Sequence, residues 1–144
     1  MAEKKSIKIG FVDFWNGFVP ENSLFYRILA EHYEVVLCED PEYVFCSTFG
    51  DEYLRYDGIR IFYSGENQVP DLNLYDYALG FEYMTAGDRY LRFPHYLLNA
   101  EECRRMERKH ENAVPEGRKG FCSFVYSNPE ASRGRDEFFD AVDG

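Results

Sequence analysis

The chain has 144 residues, which fits the size of one domain, and 45% of them are hydrophobic, enough to build a buried core. Its formal net charge is −10, which argues against nucleic acid as a partner and against attraction to a membrane surface through basic charge. The N-terminal stretch enters a strand directly, and no apolar run approaches the roughly 20 residues of a membrane span. We therefore expect a cytoplasmic protein.

Apolar runs bounded by turn residues predict strands that alternate with helices along residues 1–112. A helix is predicted over 21–33, with Asn22 or Ser23 as its N-cap, and another over 95–112. Residues 51–58 are predicted to form a short helix or turn that ends at Gly58. This alternation predicts an α/β, Rossmann-like fold with a mostly parallel sheet and flanking helices. The predicted strands span 6–15, 34–40, 42–50, 59–66, 75–83 and 88–94.

The pattern restarts after a polar stretch with several glycine and proline residues. Residues 113–120 are predicted to be a linker, followed by a strand over 121–126, a Ser-Asn-Pro turn and a helix over about 130–142. One strand–helix unit cannot form a core of its own. It must dock on the domain of residues 1–112, or residues 121–144 begin a second domain of a longer protein.

The four cysteines and three histidines do not predict a metal site. No two cysteines have the close spacing of a zinc ligand pair, and the histidines add no ligand cluster. Cys38, Cys46 and Cys122 lie in apolar runs and are predicted to be small buried hydrophobic residues with free thiols.

Polar and aromatic residues follow two predicted strands at the point where each strand ends. Asp13 and Trp15 end the first strand, and Glu66 and Asn67 end the strand over 59–66. In open α/β sheets, ligands bind in the crevice outside the carboxyl ends of the strands. A carboxylate beside Trp15 can be partly desolvated and act as a general base, and an indole can stack on a sugar. On the residues alone, the favoured interpretation of Glu66 is a solvated or loop-bracing carboxylate, and that of Trp15 is a packing residue.

Two arginines lie near the start of the last predicted helix. A helix N-terminus and a guanidinium group both favour phosphate, so Arg133 and Arg135 are candidates for an anion site. The alternative is that both are surface residues paired with neighbouring acidic side chains. No phosphate-binding loop or dinucleotide motif occurs elsewhere in the chain.

Several long motifs, in order, resemble the α-1,3-fucosyltransferases of glycosyltransferase family 10, especially the bacterial ones. They are "FW…ENSLFYRIL", "FYSGENQVPDLNLYDYALGFEY", "DRYLRFPHYL" and "GFCSFVYSNPEASRGRDEFFDAV". The resemblance implies the N-terminal half of a GT-B fold, in which two Rossmann-like domains face each other across a cleft. It also implies inverting transfer of fucose from GDP-fucose to an N-acetylglucosamine-containing, N-acetyllactosamine-like glycan in α-1,3 or α-1,4 linkage, with no cofactor or metal required.

The resemblance also implies roles for individual residues. Glu66 matches the glutamate of the family's Gly-Glu-Asn motif and is the expected catalytic base, with Trp15 and Asn67 on the acceptor side. Arg135 matches the arginine that binds the donor phosphate, together with Asn128 of the Ser-Asn-Pro turn. One additional residue between that turn and Arg135 keeps Arg133 as an alternative.

The family's remaining donor-site motifs are absent from these 144 residues. We therefore expect an N-terminal fragment, comprising the acceptor domain and the first unit of the donor domain, that does not turn over alone. Peripheral association with the inner membrane is expected only of a full-length protein. The alternative function is a stand-alone module that binds a glycan or a protein without catalysis.

Overall fold

The computed structural model describes residues 4–111 and 134–142. The chain divides into two compact units, Met1–Met106 and Glu107–Gly144. The predicted linker over 113–120 and the predicted strand over 121–126 lie outside the described residues. The boundaries at 112 and 120 therefore stay a prediction.

The first unit is built on one sheet of six strands, all parallel to their neighbours. The strand order is β2-β1-β3-β4-β5-β6, so β1 and β3 are adjacent although β2 separates them in sequence. The α/β class with a mostly parallel sheet is thus confirmed. The strands are β1 (Ser6–Val12), β2 (Glu34–Leu37), β3 (Tyr43–Cys46), β4 (Ile59–Tyr63), β5 (Tyr77–Gly80) and β6 (Tyr90–Arg92).

Each strand is shorter than predicted, mostly because its last residues turn out of the sheet. The predicted strand over 6–15 ends at Val12 because Asp13 has a φ of 61°, in the left-handed region that extended backbone does not visit. The predicted strand over 42–50 ends at Cys46, and residues 47–50 form a loop. These early ends leave short segments at the carboxyl edge of the sheet whose side chains can face a ligand.

Three α-helices are present in the described residues: α1 (Leu24–His32), α2 (Ala100–Glu111) and α3 (Gly134–Val142). The Ser23 side chain caps α1 by accepting a hydrogen bond from the Tyr26 N–H at 3.1 Å, which confirms Ser23 rather than Asn22 as the N-cap. The helix predicted over 95–112 begins as a 3₁₀ helix, His95–Asn99, and becomes α-helical at Ala100. Residues 51–58 contain a 3₁₀ helix, Glu52–Arg55.

The connection from β2 to β3 crosses β1 without a helix. Residues 38–42 pass over the middle of β1, and Pro41 lies directly against Gly10. A Cβ atom on residue 10 would lie 3.0 Å from Cγ of Pro41, closer than ordinary van der Waals contact, so a glycine at this position favours the close crossing. The Glu42 N–H donates to the Lys8 carbonyl at 3.0 Å and brings the chain back into the sheet on the other side of β1.

The two faces of the sheet bury two separate apolar clusters, because successive strand residues point to opposite faces. One cluster centres on Val44, Cys46 and Phe62. The other is aromatic: Phe45 stacks between Phe11 and Phe25, with ring centroids 5.0 and 5.4 Å apart. The second cluster reaches the carboxyl edge of the sheet, where it supports the aromatic residues of the loop after β1.

Candidate active site

A cavity of about 350 Å³ lies where the ends of β1, β3 and β4 meet. These three strands are neighbours in the sheet, so the segments that follow them converge at one edge. The cavity is lined by Trp15 after β1, by Ser47 and Phe49 after β3, by Tyr63, Gly65 and Glu66 at the end of β4, and by His95 after β6. The sequence prediction placed Trp15 and Glu66 at this edge, and the structure brings both into the same cavity.

Glu66 lies on a tight turn whose backbone is fixed by local hydrogen bonds. The Glu66 N–H donates to the hydroxyl of Ser64 at 2.9 Å, and the Gln68 N–H donates to the Glu66 carbonyl at 2.8 Å. Ser64 itself is only 1% exposed. Among the described residues, no hydrogen bond or ion pair engages the Glu66 carboxylate. The turn therefore fixes the position of Glu66 and leaves its carboxylate available.

Glu66 is exposed, and it lines the same cavity as Trp15. Partial desolvation of its carboxylate by Trp15 stays a prediction.

His95 is a cavity residue that the sequence analysis did not identify. Its Nδ1 lies 3.0 Å from the hydroxyl of Tyr63, and its ring rests against the Cα of Gly65. Tyr63 is 1% exposed, and burial raises the pKa of its phenol to about 12, so the hydroxyl stays protonated at neutral pH. The available signal was position: His95 follows the last strand of the sheet at the same edge as Glu66, separated from that strand by two residues.

Trp15 forms one wall of the cavity and is held by other aromatic rings. It packs edge-on against Phe14 and Phe18, with ring centroids 5.7 and 4.9 Å away, and remains 43% exposed. Trp15 and Tyr63 also line a second cavity, of about 370 Å³, on the side toward α1. An indole that is both fixed and exposed is suited to stacking against an apolar ligand face.

Asp13 and Asn67, the other two strand-end candidates, lie differently. The Asp13 carboxylate accepts hydrogen bonds from the N–H groups of Glu52 and Tyr53, both at 3.0 Å, so it caps the 3₁₀ helix Glu52–Arg55. Gly50 leaves room for that carboxylate, since a Cβ there would collide with it. Asn67 is exposed and is not among the residues that line the 350 Å³ cavity in the described part of the chain.

The second unit contains the candidates for donor binding. Arg135 is an exposed residue in the first turn of α3, which also carries Asp136 and Glu137. Asn128 and Arg133 lie outside the described residues. The anion-binding role of Arg135 and Asn128 stays a prediction.

Within residues 4–111 and 134–142, no group of three or more His, Cys, Asp or Glu side chains is arranged to hold a metal ion. No helix there is long and apolar enough to cross a membrane. Of the cysteines predicted to be buried, Cys46 is fully buried, Cys38 is half-buried, and Cys122 lies outside the described residues.

A family model described as the α-(1,3)-fucosyltransferase FucT N-terminal domain matches residues 9–99. The chain belongs to this family. Every residue that lines the 350 Å³ cavity, from Trp15 to His95, falls within the matched range, and so does Asn67. The family resemblance inferred from the sequence motifs is confirmed.

A curated relative is the α-(1,3)-fucosyltransferase FucT of Helicobacter pylori, which is 32% identical over 188 residues. The match covers 99% of this chain and 39% of that protein, so the chain spans about two fifths of the relative's length. Because 188 positions exceed the 144 residues available here, the relative has residues within the matched span that have no counterpart in this chain.

Solved structures share the fold. An α1,3-fucosyltransferase crystallised with GDP-fucose matches 99% of this chain and 51% of its own, with a TM-score of 0.66 and 28% identity. An α1,3-fucosyltransferase crystallised with GDP matches 70% of this chain and 31% of its own, with a TM-score of 0.55 and 33% identity.

Proposed function

We propose that this chain supplies the acceptor side of an inverting α-1,3(/4)-fucosyltransferase that moves fucose from GDP-fucose to an N-acetylglucosamine-containing glycan. The observation that carries the proposal is Glu66: its backbone N–H is held by Ser64, the residue lines the 350 Å³ cavity, and its carboxylate makes no hydrogen bond or ion pair with a described residue. Membership of the fucosyltransferase family supports this assignment, as do relatives crystallised with GDP and GDP-fucose.

In the proposed reaction Glu66 acts as the general base. Its carboxylate takes the proton of the acceptor hydroxyl, whose oxygen forms a bond to the anomeric carbon of fucose. The bond between that carbon and the β-phosphate oxygen breaks, and GDP leaves with the electron pair. Attack from the face opposite the leaving group converts the β-linked donor into an α-linked product.

Trp15 is the proposed platform for the acceptor sugar. It lies on the wall of the same cavity as Glu66 and is fixed by Phe14 and Phe18, so a stacked sugar would be held beside the base. Asn67 follows Glu66 directly and is proposed to contact the acceptor from the rim of the cavity. The acceptor class, an N-acetyllactosamine-like glycan, is part of the proposal.

Arg135 and Asn128 are proposed to bind the donor phosphates. The departing GDP gains negative charge as the bond to fucose breaks, and a guanidinium group stabilises such charge through paired hydrogen bonds. The arginine and the amide of Asn128 would supply this stabilisation without a metal ion. No other cofactor enters the proposed reaction.

The proposal is tested by incubating the full-length protein with GDP-fucose and N-acetyllactosamine. We expect stoichiometric release of GDP and a product whose new linkage has the α configuration by NMR. Glycan binding without GDP release would instead support the alternative function, a binding module without catalysis. Retention of the β configuration would contradict the inverting mechanism.

A further inference from the structure

His95 makes two contacts that converge on the turn carrying Glu66. Its Nδ1 lies 3.0 Å from the hydroxyl of Tyr63, and its ring packs against Gly65, the residue immediately before Glu66. His95 also lines the 350 Å³ cavity beside Glu66. Neither contact is needed to form the sheet, because His95 follows β6 and lies outside every strand.

The contact with Tyr63 fixes the orientation of the imidazole ring. Tyr63 is 1% exposed, and among the described residues Nδ1 of His95 is the partner that its hydroxyl contacts. A buried hydroxyl hydrogen without an acceptor is unfavourable, so the arrangement in which the Tyr63 hydroxyl donates to Nδ1 is favoured. Tyr63 is the last residue of β4, and the ring is therefore anchored to the strand that leads into the Glu66 turn.

The contact with Gly65 places the oriented ring against the turn and restricts the turn's movement. A Cβ atom on residue 65 would lie 2.5 Å from Nδ1 and 3.2 Å from Cγ of His95, so the imidazole occupies the space that any other residue's side chain would need. Ser64 holds the other side of the turn through its hydrogen bond to the Glu66 N–H. The turn is thus held between a buried hydroxyl and an imidazole ring.

We propose that His95 is a positioning residue that holds the Ser64–Gly65–Glu66 turn, and with it the Glu66 carboxylate, in the geometry needed to deprotonate the acceptor. This inference rests on the proposed function of Glu66 as the base. It explains why glycine stands before Glu66: the side chain absent from residue 65 is replaced by the ring of His95.

The first test is kinetic and uses the full-length protein. His95→Ala is expected to lower kcat by about 10- to 100-fold, the scale of misplacing a reacting group by about 1 Å, with the KM for GDP-fucose unchanged. His95→Asn places an amide oxygen near the position of Nδ1, so it can still accept from Tyr63 and should retain most of the activity. His32→Ala, at the exposed end of α1, is the matched control and should leave kcat unchanged.

A double-mutant cycle separates positioning from direct catalysis. If His95 acts through Glu66, then His95→Ala should have almost no further effect in a Glu66→Gln background. Full additivity of the two losses would overturn the positioning role. If Glu66→Gln alone left kcat unchanged, the proposed base would be wrong, and that result is visible independently of His95.

A second readout does not depend on transferase activity. Amide hydrogen exchange of the peptide over residues 64–68 is expected to speed up in His95→Ala and in Tyr63→Phe, because each removes one support of the turn. His95→Asn should exchange close to the wild-type rate, and thermal unfolding of each variant confirms that it is folded. Wild-type exchange at Glu66 in His95→Ala would overturn the proposal whether or not fucose is transferred.

Discussion

The loops after β1 and β4 each place a carboxylate at the same edge of the sheet, and the two carboxylates are used in opposite ways. Asp13 accepts two backbone hydrogen bonds, from Glu52 and Tyr53, and its own backbone has a φ of 61°. In Glu66 the backbone makes the hydrogen bonds, to Ser64 and Gln68, and the carboxylate makes none with a described residue.

The comparison shows how an acidic residue at a strand end can be assigned to structure or to chemistry. A carboxylate whose oxygens accept backbone N–H groups is part of the fold, because removing it leaves those donors without a partner. A residue held by its backbone alone can present its carboxylate to a ligand without disturbing the fold. Asp13 belongs to the first kind and Glu66 to the second.

The first and largest predicted effect tests these two roles: each carboxylate is neutralised in turn, and fucose transfer is measured. Glu66→Gln keeps the size of the side chain and removes the base, so kcat should fall by about 10²–10⁴-fold. Asp13→Asn should leave kcat close to the wild-type value, because Asp13 does not line the cavity. A loss of kcat in Asp13→Asn equal to that in Glu66→Gln would show that the assignment of roles is wrong.

The second prediction concerns stability instead of activity, and here the larger effect is expected for Asp13. Asp13→Ala removes the acceptor for two N–H groups and places alanine in the left-handed region, so the free energy of unfolding should fall by about 2–3 kcal/mol. Asp13→Asn keeps one oxygen and tolerates that backbone conformation, and should lose about half as much. Glu66→Ala should change unfolding by less than about 0.5 kcal/mol in the same urea titration.

The third prediction concerns stability in alkaline solution and two buried groups at the ends of neighbouring strands, the Cys46 thiol of β3 and the Tyr63 phenol of β4. Burial, and secondarily the Asp13 carboxylate, raises the pKa of the Cys46 thiol from 9.0 to about 12, and burial raises the pKa of the Tyr63 phenol from 10.0 to about 12. Above pH 9 and pH 10 respectively, the unfolded chain releases these protons while the folded chain keeps them. The unfolded state then binds fewer protons, so stability falls as the pH rises toward about 12.

Single substitutions assign this loss of stability to each of the two side chains. Cys46→Val should remove the part that begins near pH 9, and Tyr63→Phe the part that begins near pH 10. Each group contributes a slope of at most about 1.4 kcal/mol per pH unit. Urea unfolding at a series of alkaline pH values measures the slopes, and an unaltered slope in Tyr63→Phe would mean that its phenol ionises equally in both states.

The sequence predicted the sheet well because each strand is a run of apolar residues long enough to be recognised. It predicted the ends of the strands poorly, since an aspartate in the left-handed region, such as Asp13, looks like any polar residue after an apolar run. The direct crossing from β2 to β3 was also not predicted. Parallel strands are usually joined by a helix, and the contact between Gly10 and Pro41 that permits a short connection is a tertiary feature.

In the candidate site, too, some residues could be predicted from the sequence and others depend on tertiary contacts. Trp15 and Glu66 could be placed together because both follow strands that end at one edge. For His95 the sequence offered only its position after the last strand, because the contacts of its ring with Gly65 and with the Tyr63 hydroxyl are tertiary features that no spacing in the sequence reveals.

The smallest predicted effect concerns Ser64, which distinguishes the Glu66 turn from the loop after β3. Ser64→Ala leaves the Glu66 N–H without its partner, but this group is near solvent and water can replace the hydroxyl. The free energy of unfolding should therefore fall by only about 1 kcal/mol. A less well fixed turn should also lower kcat by up to about 5-fold, the kinetic equivalent of about 1 kcal/mol.

Ser47→Ala is the matched control for stability. Ser47 is buried at the end of β3 as Ser64 is at the end of β4, but its hydroxyl makes no hydrogen bond to a described residue. Its replacement should therefore leave the urea midpoint almost unchanged. Equal destabilisation by the two substitutions would mean that the loss reflects the removal of a buried serine in general, and the Ser64 hydroxyl would then have no particular role in holding Glu66.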